Sequence, residues 1–158
     1  EHVNVGICLQ ACLRRTPDDL ESLLLLGPRI RLVKGAYAEP VDVAFPRKDD
    51  VDANYLWLAQ TLIGHVGGGQ DGFLALGTHD PAMIDPLANQ ARDAGLGPEQ
   101  FEVEMLYGIS RREQKRLVKR GVPLRVLISY GTAWFPWYMR RLAERPANIW
   151  FVVRSMVR

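Results

Sequence analysis

The chain has 158 residues, 47% of them hydrophobic and 24% charged, and these values exclude a disordered protein and fit one globular domain. A formal net charge of +2 is too close to neutral to indicate binding to nucleic acid or to an anionic membrane surface. The sequence has no run of about 18 or more apolar residues, which excludes a membrane-spanning helix.

Apolar, β-rich runs alternate with amphipathic stretches along the chain, which indicates an α/β fold with a parallel sheet. The runs predict five strands, at residues 3–9, 30–36, 73–77, 101–106 and 124–128. Each is followed by a predicted helix, and two architectures have that order: an open doubly wound sheet, or part of a (β/α)8 barrel. No G-x-G-x-x-G follows the first strand, which argues against the dinucleotide fold. A whole barrel needs about 250 residues, so the barrel interpretation requires three βα units to be missing.

The helices are predicted from their terminal residues. Thr16 is the predicted N-cap of the first, ahead of Pro17, and Asp49 or Asp50 is the predicted cap of the second. The segment Ser110-Arg111-Arg112-Glu113 has the form of a capping box. The predicted extents are 16–27 for the first helix, 81–94 for the third, 110–121 for the fourth and 134–145 for the fifth. Gly67-Gly68-Gly69 precedes a strand instead of opening a helix, so a plain loop is favoured over a phosphate site.

The two cysteines, Cys8 and Cys12, do not indicate a disulfide or a metal site. If the first run is a strand, they lie on one face roughly 13 Å apart, too far to be bridged. No zinc spacing or CxxC pair is present, so we expect a reducing, cytoplasmic compartment. The chain begins Glu-His-Val, without a methionine or a signal peptide, which is compatible with a segment of a longer protein.

The second predicted strand carries an arginine inside an apolar run, where an unpaired charge would be costly. Side chains alternate along a strand, so Arg31, Val33, Gly35 and Tyr37 share one face. On the lumen of a barrel Arg31 needs an anion or an electron-rich partner, whereas on an edge strand it is solvated. Periodicity alone leaves these two interpretations even. Gly35 has no side chain, which suits the close approach of a ligand.

Polar residues also follow other predicted strands. Gln10 and Thr78-His79 begin βα loops, and barrel enzymes place their sites at that rim. A lone histidine is more often structural than catalytic, but the rim position makes the two interpretations of His79 about equal. Glu102 and Glu104 alternate with apolar residues, so they would either pair with the arginine of the second strand or form a solvated face.

Two adjacent arginines, Arg140 and Arg141, lie in the last predicted helix, with Glu144 one turn later. A guanidinium binds a carboxylate through two parallel hydrogen bonds, so a pair of them would hold a small acid firmly. The alternative is a surface ion pair between Arg140 and Glu144, four residues apart on a helix. The residues alone favour that alternative.

Five segments resemble, in the family's order, the signatures of the flavin-dependent proline dehydrogenases, and together they extend over nearly the whole chain. They are Gln10-Ala11-Cys12-Leu13-Arg14-Arg15, Arg31-Leu32-Val33-Lys34-Gly35-Ala36-Tyr37, Gly77-Thr78-His79-Asp80, Phe101-Glu102-Val103-Glu104-Met105-Leu106-Tyr107-Gly108 and Tyr138-Met139-Arg140-Arg141-Leu142-Ala143-Glu144. One such match would be weak, whereas five in order are strong. The resemblance implies a (β/α)8 TIM barrel, of which residues 1–158 are the C-terminal part, with about five βα units corresponding to strands four to eight.

The resemblance also implies FAD as cofactor and the oxidation of L-proline to Δ1-pyrroline-5-carboxylate, with hydride transfer from the ring carbon beside nitrogen. Arg31, near the reacting nitrogen of the flavin, and Tyr37 are the implied catalytic residues. The implied FAD contacts are Gln10, Arg31, Val33, Lys34, Gly35, Ala36, Thr78 and His79. The implied substrate pocket comprises Tyr37, Leu106, Arg140 and Arg141, with Glu144 orienting the arginine pair on the proline carboxylate. Since the flavin performs the redox step, the protein positions the substrate and sets the electrostatics of the ring.

The chain departs from the family's pattern at four positions. Leu127 and Trp137 stand where tyrosines are usual, Ser129 stands where a proline is usual, and Glu104 replaces a usual glutamine. Leu127 would reshape the substrate pocket, which puts the preference for proline over hydroxyproline or another cyclic amino acid in doubt. Glu104 would add negative charge near the flavin and lower its reduction potential. The lysine and aspartate that the family's first strands supply to the substrate site have no counterpart here.

Three functions are therefore considered. The leading one is part of a proline dehydrogenase, with L-proline as substrate, a quinone as electron acceptor and a location in the cytoplasm, peripheral to the inner membrane. The second is a non-catalytic barrel fragment that docks through its open sheet edges onto a partner or a second copy, forming a homo-oligomer. The third is a barrel oxidoreductase for hydroxyproline or another small cyclic amino acid. No nucleic-acid partner and no metal are expected.

Overall fold

The computed structural model describes residues 5–35, 39–132, 134 and 136, in which strands and helices alternate strictly. The elements are β1 Ile7–Gln10, α1 Thr16–Leu24, β2 Arg29–Val33, α2 Lys48–Gly67, β3 Phe73–Gly77, α3 Pro81–Asp93, β4 Phe101–Leu106, α4 Arg111–Lys119 and β5 Leu124–Leu127. None of the helices in this part of the chain has the length and apolar character needed to cross a bilayer.

The five strands form one sheet in the order β1-β2-β3-β4-β5, and every neighbouring pair is parallel. A doubly wound sheet would reverse its strand order at a switch point. Here each strand instead lies beside its predecessor, as in a (β/α)8 barrel. The sequence therefore predicted the α/β class correctly, and the topology decides between the two architectures in favour of a partial barrel.

The core lies between the helices and one face of the sheet. Ile30, Leu32, Leu76 and Val103 point to that face and are fully buried. The long helix α2 packs against them, and its Tyr55 is also fully buried and donates a 3.4 Å hydrogen bond to the Leu32 carbonyl. Each such side chain stabilises the fold by about 1.5–3 kcal/mol relative to exposure. Because side chains alternate, the residues between these positions, including Arg31, lie on the opposite, open face.

The strand bounds agree with the sequence in the middle of the sheet and differ at its sides. The predictions for β3 and β4 are confirmed to the residue. β2 ends at Val33 instead of continuing to residue 36, because Gly35 adopts a φ of +106° that takes the chain out of the sheet. β1 begins at Ile7 and ends at Gln10, one residue after its predicted end. β5 ends at Leu127, one residue before its predicted end.

Three predicted helix caps are wrong. Thr16 lies inside α1, and its hydroxyl donates a 2.6 Å hydrogen bond to the Gln10 carbonyl instead of capping the helix. Ser110 precedes α4 in a left-handed conformation and makes no side-chain cap, while Glu113 accepts a hydrogen bond from Arg116 instead of closing a capping box. α2 begins at Lys48, so the two aspartates predicted as caps lie in its first turn. Their negative charges there interact favourably with the positive end of the helix dipole.

Two helix ends are confirmed, and one cap was missed. Gly95 and Gly121 follow α3 and α4 with φ values of +76° and +73°, as helix-terminating glycines do. Asp80 caps α3, accepting a 3.1 Å hydrogen bond from the Ala82 amide. The predicted helix at 134–145 lies outside the described residues, apart from positions 134 and 136.

Candidate functional site

The carboxyl ends of five parallel strands meet at one edge of the sheet, and eight of the predicted site residues lie at or near that edge. They are Gln10, Arg31, Val33, Lys34, Gly35, Thr78, His79 and Leu106. The other predicted site residues lie outside the described part of the chain: Ala36, Tyr37, Arg140, Arg141 and Glu144. Their predicted roles stay predictions.

Arg31 reaches across a neighbouring strand to a carboxylate. Arg31 lies beside Ala75 of β3, whereas Glu104 of β4 lies beside Gly77, two residues further along β3. The Nε–H of Arg31 nevertheless donates to Oε2 of Glu104. Burial alone would lower the pKa of the guanidinium, but the hydrogen bond and the charge of Glu104 outweigh that effect and leave the pKa raised. Arg31 is therefore a paired cation on the open face, not a solvated edge residue.

Glu102 does not share this partner. Its carboxylate accepts two hydrogen bonds from Arg125 of β5, at 2.7 Å from Nε and 3.0 Å from Nη2. This is the bidentate geometry that a guanidinium and a carboxylate prefer. Of the two interpretations of these glutamates, pairing with Arg31 is correct for Glu104, whereas Glu102 is buried and pairs with Arg125, which neither interpretation predicted. Among the residues that the structure describes, the open face thus carries two separate ion pairs, Arg31 with Glu104 and Arg125 with Glu102.

The two ion pairs border a cleft of about 330 Å³ on the open face. The cleft extends toward the amino ends of the strands, where Arg29 lies over the Phe73 ring at 4.1 Å from its centroid. Its middle is lined by Ala75, one of the two small residues that β3 presents to this face. Arginines and glutamates therefore surround a shallow centre with little side-chain volume.

Lys34 is held by one carboxylate in α2 and by another that caps α3. Its ammonium lies 2.6 Å from Oδ1 of Asp52 in α2 and 3.1 Å from Oδ2 of Asp80. Burial raises the pKa of Asp52, but hydrogen bonds from Lys34 and Lys48 outweigh that effect and leave it lowered. The sequence analysis missed these partners. The sequence does contain a signal for the capping role of Asp80, because an aspartate directly before a proline is a common helix cap, but it contains none for the ion pair with Lys34.

Gly35 is required by the protein's own packing. A Cβ at this position would stand 2.2 Å from Sγ of Cys12, a distance too short for two atoms that are not bonded. The positive φ adds a second reason for glycine. The close approach that the sequence suggested for a ligand is in the structure an approach of Cys12, whose amide also donates to the Lys34 carbonyl at 2.9 Å.

The end of β4 is fastened on both sides. Nε2 of His79 accepts a hydrogen bond from the Leu106 amide at 3.2 Å. The side-chain amide of Gln114 donates to the carbonyls of Leu106 and Ile109 at 3.0 and 2.9 Å. Burial lowers the pKa of His79 to about 4, so the imidazole is neutral and Nε2 can accept. Thr78 is buried, and its hydroxyl accepts from the Asp80 amide at 3.2 Å.

Comparison with known proteins identifies relatives along the whole chain. The sequence profile of the proline dehydrogenase family matches residues 1–154. Proline dehydrogenase 2 of Bacillus subtilis is 45% identical over 160 aligned positions, which include 100% of this chain and 50% of that protein. Proline dehydrogenase of Deinococcus radiodurans is 43% identical over 155 positions, with 98% of this chain and 48% of the relative covered. The chain thus spans about half the length of these curated relatives.

A solved structure shows the same arrangement of elements. Proline utilization A from Bdellovibrio bacteriovorus, inactivated by N-propargylglycine, superposes with a TM-score of 0.75 and 26% identity. The superposition covers 87% of this chain and 16% of that much longer protein. With the profile match and the two relatives, it follows that the chain belongs to the proline dehydrogenase family.

Proposed function

We propose that this chain supplies about half of the barrel of an FAD-dependent enzyme that oxidises L-proline to Δ1-pyrroline-5-carboxylate. The observation that carries the proposal is the ion-paired Arg31 in the middle of β2, on the open face that would form the lumen of a complete barrel. Membership of the proline dehydrogenase family supports the proposed reaction and substrate. We further propose that residues 1–158 are the C-terminal part of the barrel domain.

The open face suits a flat ring. β3 places Ala75 and Gly77 at its centre, so β3 itself contributes only a methyl group there, and the Arg31 guanidinium lies over the glycine. The residues that would hold FAD are Gln10, Arg31, Val33, Lys34, Gly35, Ala36, Thr78 and His79. FAD, when bound, supplies the hydride acceptor. Because the Lys34 ammonium and Nε2 of His79 already have partners, we propose that these two residues act toward the cofactor by fixing the loops that surround it.

The substrate would be held by its charge and by its ring. We propose that Arg140 and Arg141 bind the proline carboxylate, with Glu144 orienting them, since guanidinium groups bind carboxylates bidentately. Tyr37 and Leu106 would contact the ring and present its carbon beside nitrogen to the flavin, and Arg31 and Tyr37 would be the catalytic residues. Leu127, beside Leu106 in the sheet and 46% exposed, widens the apolar part of the pocket and makes hydroxyproline a second substrate to test.

We also propose a quinone as electron acceptor, reached at the inner-membrane surface from the cytoplasm. Support for this comes only from the resemblance to the family. A second copy of the chain, or the remainder of the barrel, would cover the two edges of the sheet at β1 and β5, since the backbone N–H and C=O groups of an edge strand are free to pair with another strand.

A flavin spectrum tests the proposal. The chain is purified alone, and separately after co-expression with the half of Bacillus subtilis proline dehydrogenase 2 that lies outside the match. Each sample is desalted, and its absorbance is recorded anaerobically before and after addition of L-proline or trans-4-hydroxy-L-proline. Flavin that bleaches with proline supports the proposal, and bleaching with hydroxyproline alone would replace the substrate. Absence of flavin from both preparations, with folding verified by circular dichroism, would overturn it.

A further inference from the structure

Two glutamates on one strand, two residues apart and on the same face, have different partners. Glu102 accepts hydrogen bonds from Nε and Nη2 of Arg125, whose side chain is largely exposed. Glu104 receives Arg31, and both members of that pair are less exposed than Arg125. The Arg31 pair spans β2 to β4 across the intervening strand, whereas the Arg125 pair joins adjacent strands. The two glutamates can therefore be compared directly, because only Glu104 pairs with Arg31.

Gly77 makes the longer pair geometrically accessible. A Cβ at this position would stand 3.3 Å from Nη2 of Arg31 and 2.8 Å from Cγ1 of Val33. The guanidinium thus passes over β3 through the space that a glycine leaves. On its other side, Nη1 of Arg31 lies 3.8 Å from Sγ of Cys8. The Arg31 side chain therefore has contacts with β1 on one side and with β4 on the other.

We propose that Glu104 is a positioning residue that holds the Arg31 guanidinium over Gly77 and neutralises its charge toward any ligand on the open face. A free guanidinium attracts anions and stabilises electron-rich rings, whereas a hydrogen-bonded ion pair presents almost no net charge. This inference rests on the proposed function, in which the ligand on the open face is the flavin. A reduced flavin carries more negative charge than an oxidised one. Glu104 therefore keeps the reduction potential of the bound flavin lower than Arg31 alone would set it.

The first test needs no flavin. In the purified chain, the Nε–H resonance of Arg31 is followed by ¹⁵N nuclear magnetic resonance during titration with sulfate. Glu104→Gln keeps the shape of the side chain and removes its charge, so sulfate should bind at Arg31 at least tenfold more tightly than in the unaltered chain. Glu102→Gln is the matched control, because it makes the same change two residues away and should leave the Arg31 response as in the unaltered chain.

A second variant addresses geometry without changing any charge. Gly77→Ala obstructs the space through which Arg31 passes, so its Nε–H should respond to sulfate as in Glu104→Gln. This variant also decides the matter if Glu104→Gln does not fold. An Arg31 resonance that is unchanged in position and in sulfate response in the folded variants would overturn the proposal.

The flavin-loaded protein, prepared alone or with the complementary half, provides the second readout. Glu104→Gln should raise the two-electron potential so that the ratio of reduced to oxidised flavin at a fixed potential increases at least tenfold, which corresponds to about 30 mV. Glu102→Gln should change it less. Equal shifts in both variants would contradict the specific role of Glu104. If neither preparation retains flavin, the proposed function fails, while the sulfate titration still decides whether Glu104 neutralises Arg31.

Discussion

Nε2 of His79 accepts a hydrogen bond from the backbone amide of Leu106, with 3.2 Å between the two nitrogens. The bond joins the loop after β3 to the last residue of β4, and so links two segments at the candidate site. It requires a neutral imidazole, because a protonated Nε2 is a donor and cannot accept. The pKa of His79, lowered by burial to about 4, is the thermodynamic counterpart of that requirement.

The stability of the chain should fall as the pH falls from about 6.5 toward 4. In the unfolded chain the histidine has a pKa near 6.5 and takes up a proton in this range, whereas in the fold it stays neutral down to about 4. The unfolded state thus binds more protons, and stability decreases with falling pH. The full effect is roughly 3 kcal/mol at 1.36 kcal/mol per pKa unit. Urea unfolding at pH 7, 5.5 and 4 measures it.

His79→Gln is the control for this pH dependence. The glutamine oxygen can accept from the same amide but does not titrate, so the variant should lose less stability between pH 6.5 and 4. Carboxylates with lowered pKa values, such as Asp52 and Asp85, contribute to acid unfolding equally in both proteins. The difference between the two pH profiles therefore isolates the histidine. Parallel profiles would show that His79 does not carry the effect.

Lys34→Met should destabilise the fold by about 1–3 kcal/mol, because it leaves two partly buried carboxylates without their shared cation. Thermal or urea unfolding measures the loss. Arg15→Met is the matched control, since it also removes a cation that bonds an aspartate, Asp19, but on the exposed surface. Exposed pairs contribute little, so that variant should unfold almost like the unaltered chain. Equal losses in the two variants would mean that the cluster around Lys34 has no special weight.

The sequence predicts β3 and β4 to the residue because β3 is a continuous apolar run and β4 alternates apolar residues with two glutamates, and both are interior strands of the sheet. β2 is predicted too long for a physical reason. The apolar pattern continues past Val33, but the bonds of the Lys34 ammonium and the positive φ of Gly35 direct the chain away. Partners of that kind lie far along the sequence, and no local pattern contains them.

The candidate site was predictable in its face but not in its contacts. Alternation places Arg31 on the side opposite the core, and the structure agrees. Whether Glu102 or Glu104 receives its charge depends on the stagger between β2, β3 and β4 and on the missing side chain at Gly77, neither of which the sequence states. Gln114 left no signal at all, because a glutamine in a helix has many uses.

Substitution of the arginine pair tests the substrate site. Arg140→Lys or Arg141→Lys should weaken proline binding at least tenfold in the flavin-loaded protein and leave FAD affinity nearly unchanged, because an ammonium cannot bind a carboxylate through two parallel bonds. Anaerobic titration of the flavin absorbance with L-proline gives the dissociation constant. Lys119→Met, which removes a charge from an exposed position on α4, serves as the control. Unchanged proline affinity in both arginine variants would remove them from the carboxylate site.

Two glycines with different surroundings, Gly64 and Gly77, should respond in opposite directions to substitution by alanine. Gly64 lies inside α2 with nothing within 4 Å of an added Cβ, so Gly64→Ala should stabilise the fold by about 0.5–1 kcal/mol through the better helix propensity of alanine. Gly77→Ala should instead destabilise it by about 1–3 kcal/mol, since the new methyl group lies 2.8 Å from Cγ1 of Val33. Differential scanning calorimetry of both variants measures the signs.

The cause of the loss at Gly77 can be separated from backbone effects by a compensating change. Val33→Ala removes the methyl group that the new Cβ meets, so in the Val33→Ala background the cost of Gly77→Ala should be clearly smaller than in the unaltered chain. The backbone of Gly77 needs no left-handed conformation, which leaves crowding as the remaining cause. An undiminished cost in the Val33→Ala background would assign the loss to the two other neighbours of the new methyl group, the Leu32 carbonyl oxygen at 3.2 Å and Nη2 of Arg31 at 3.3 Å.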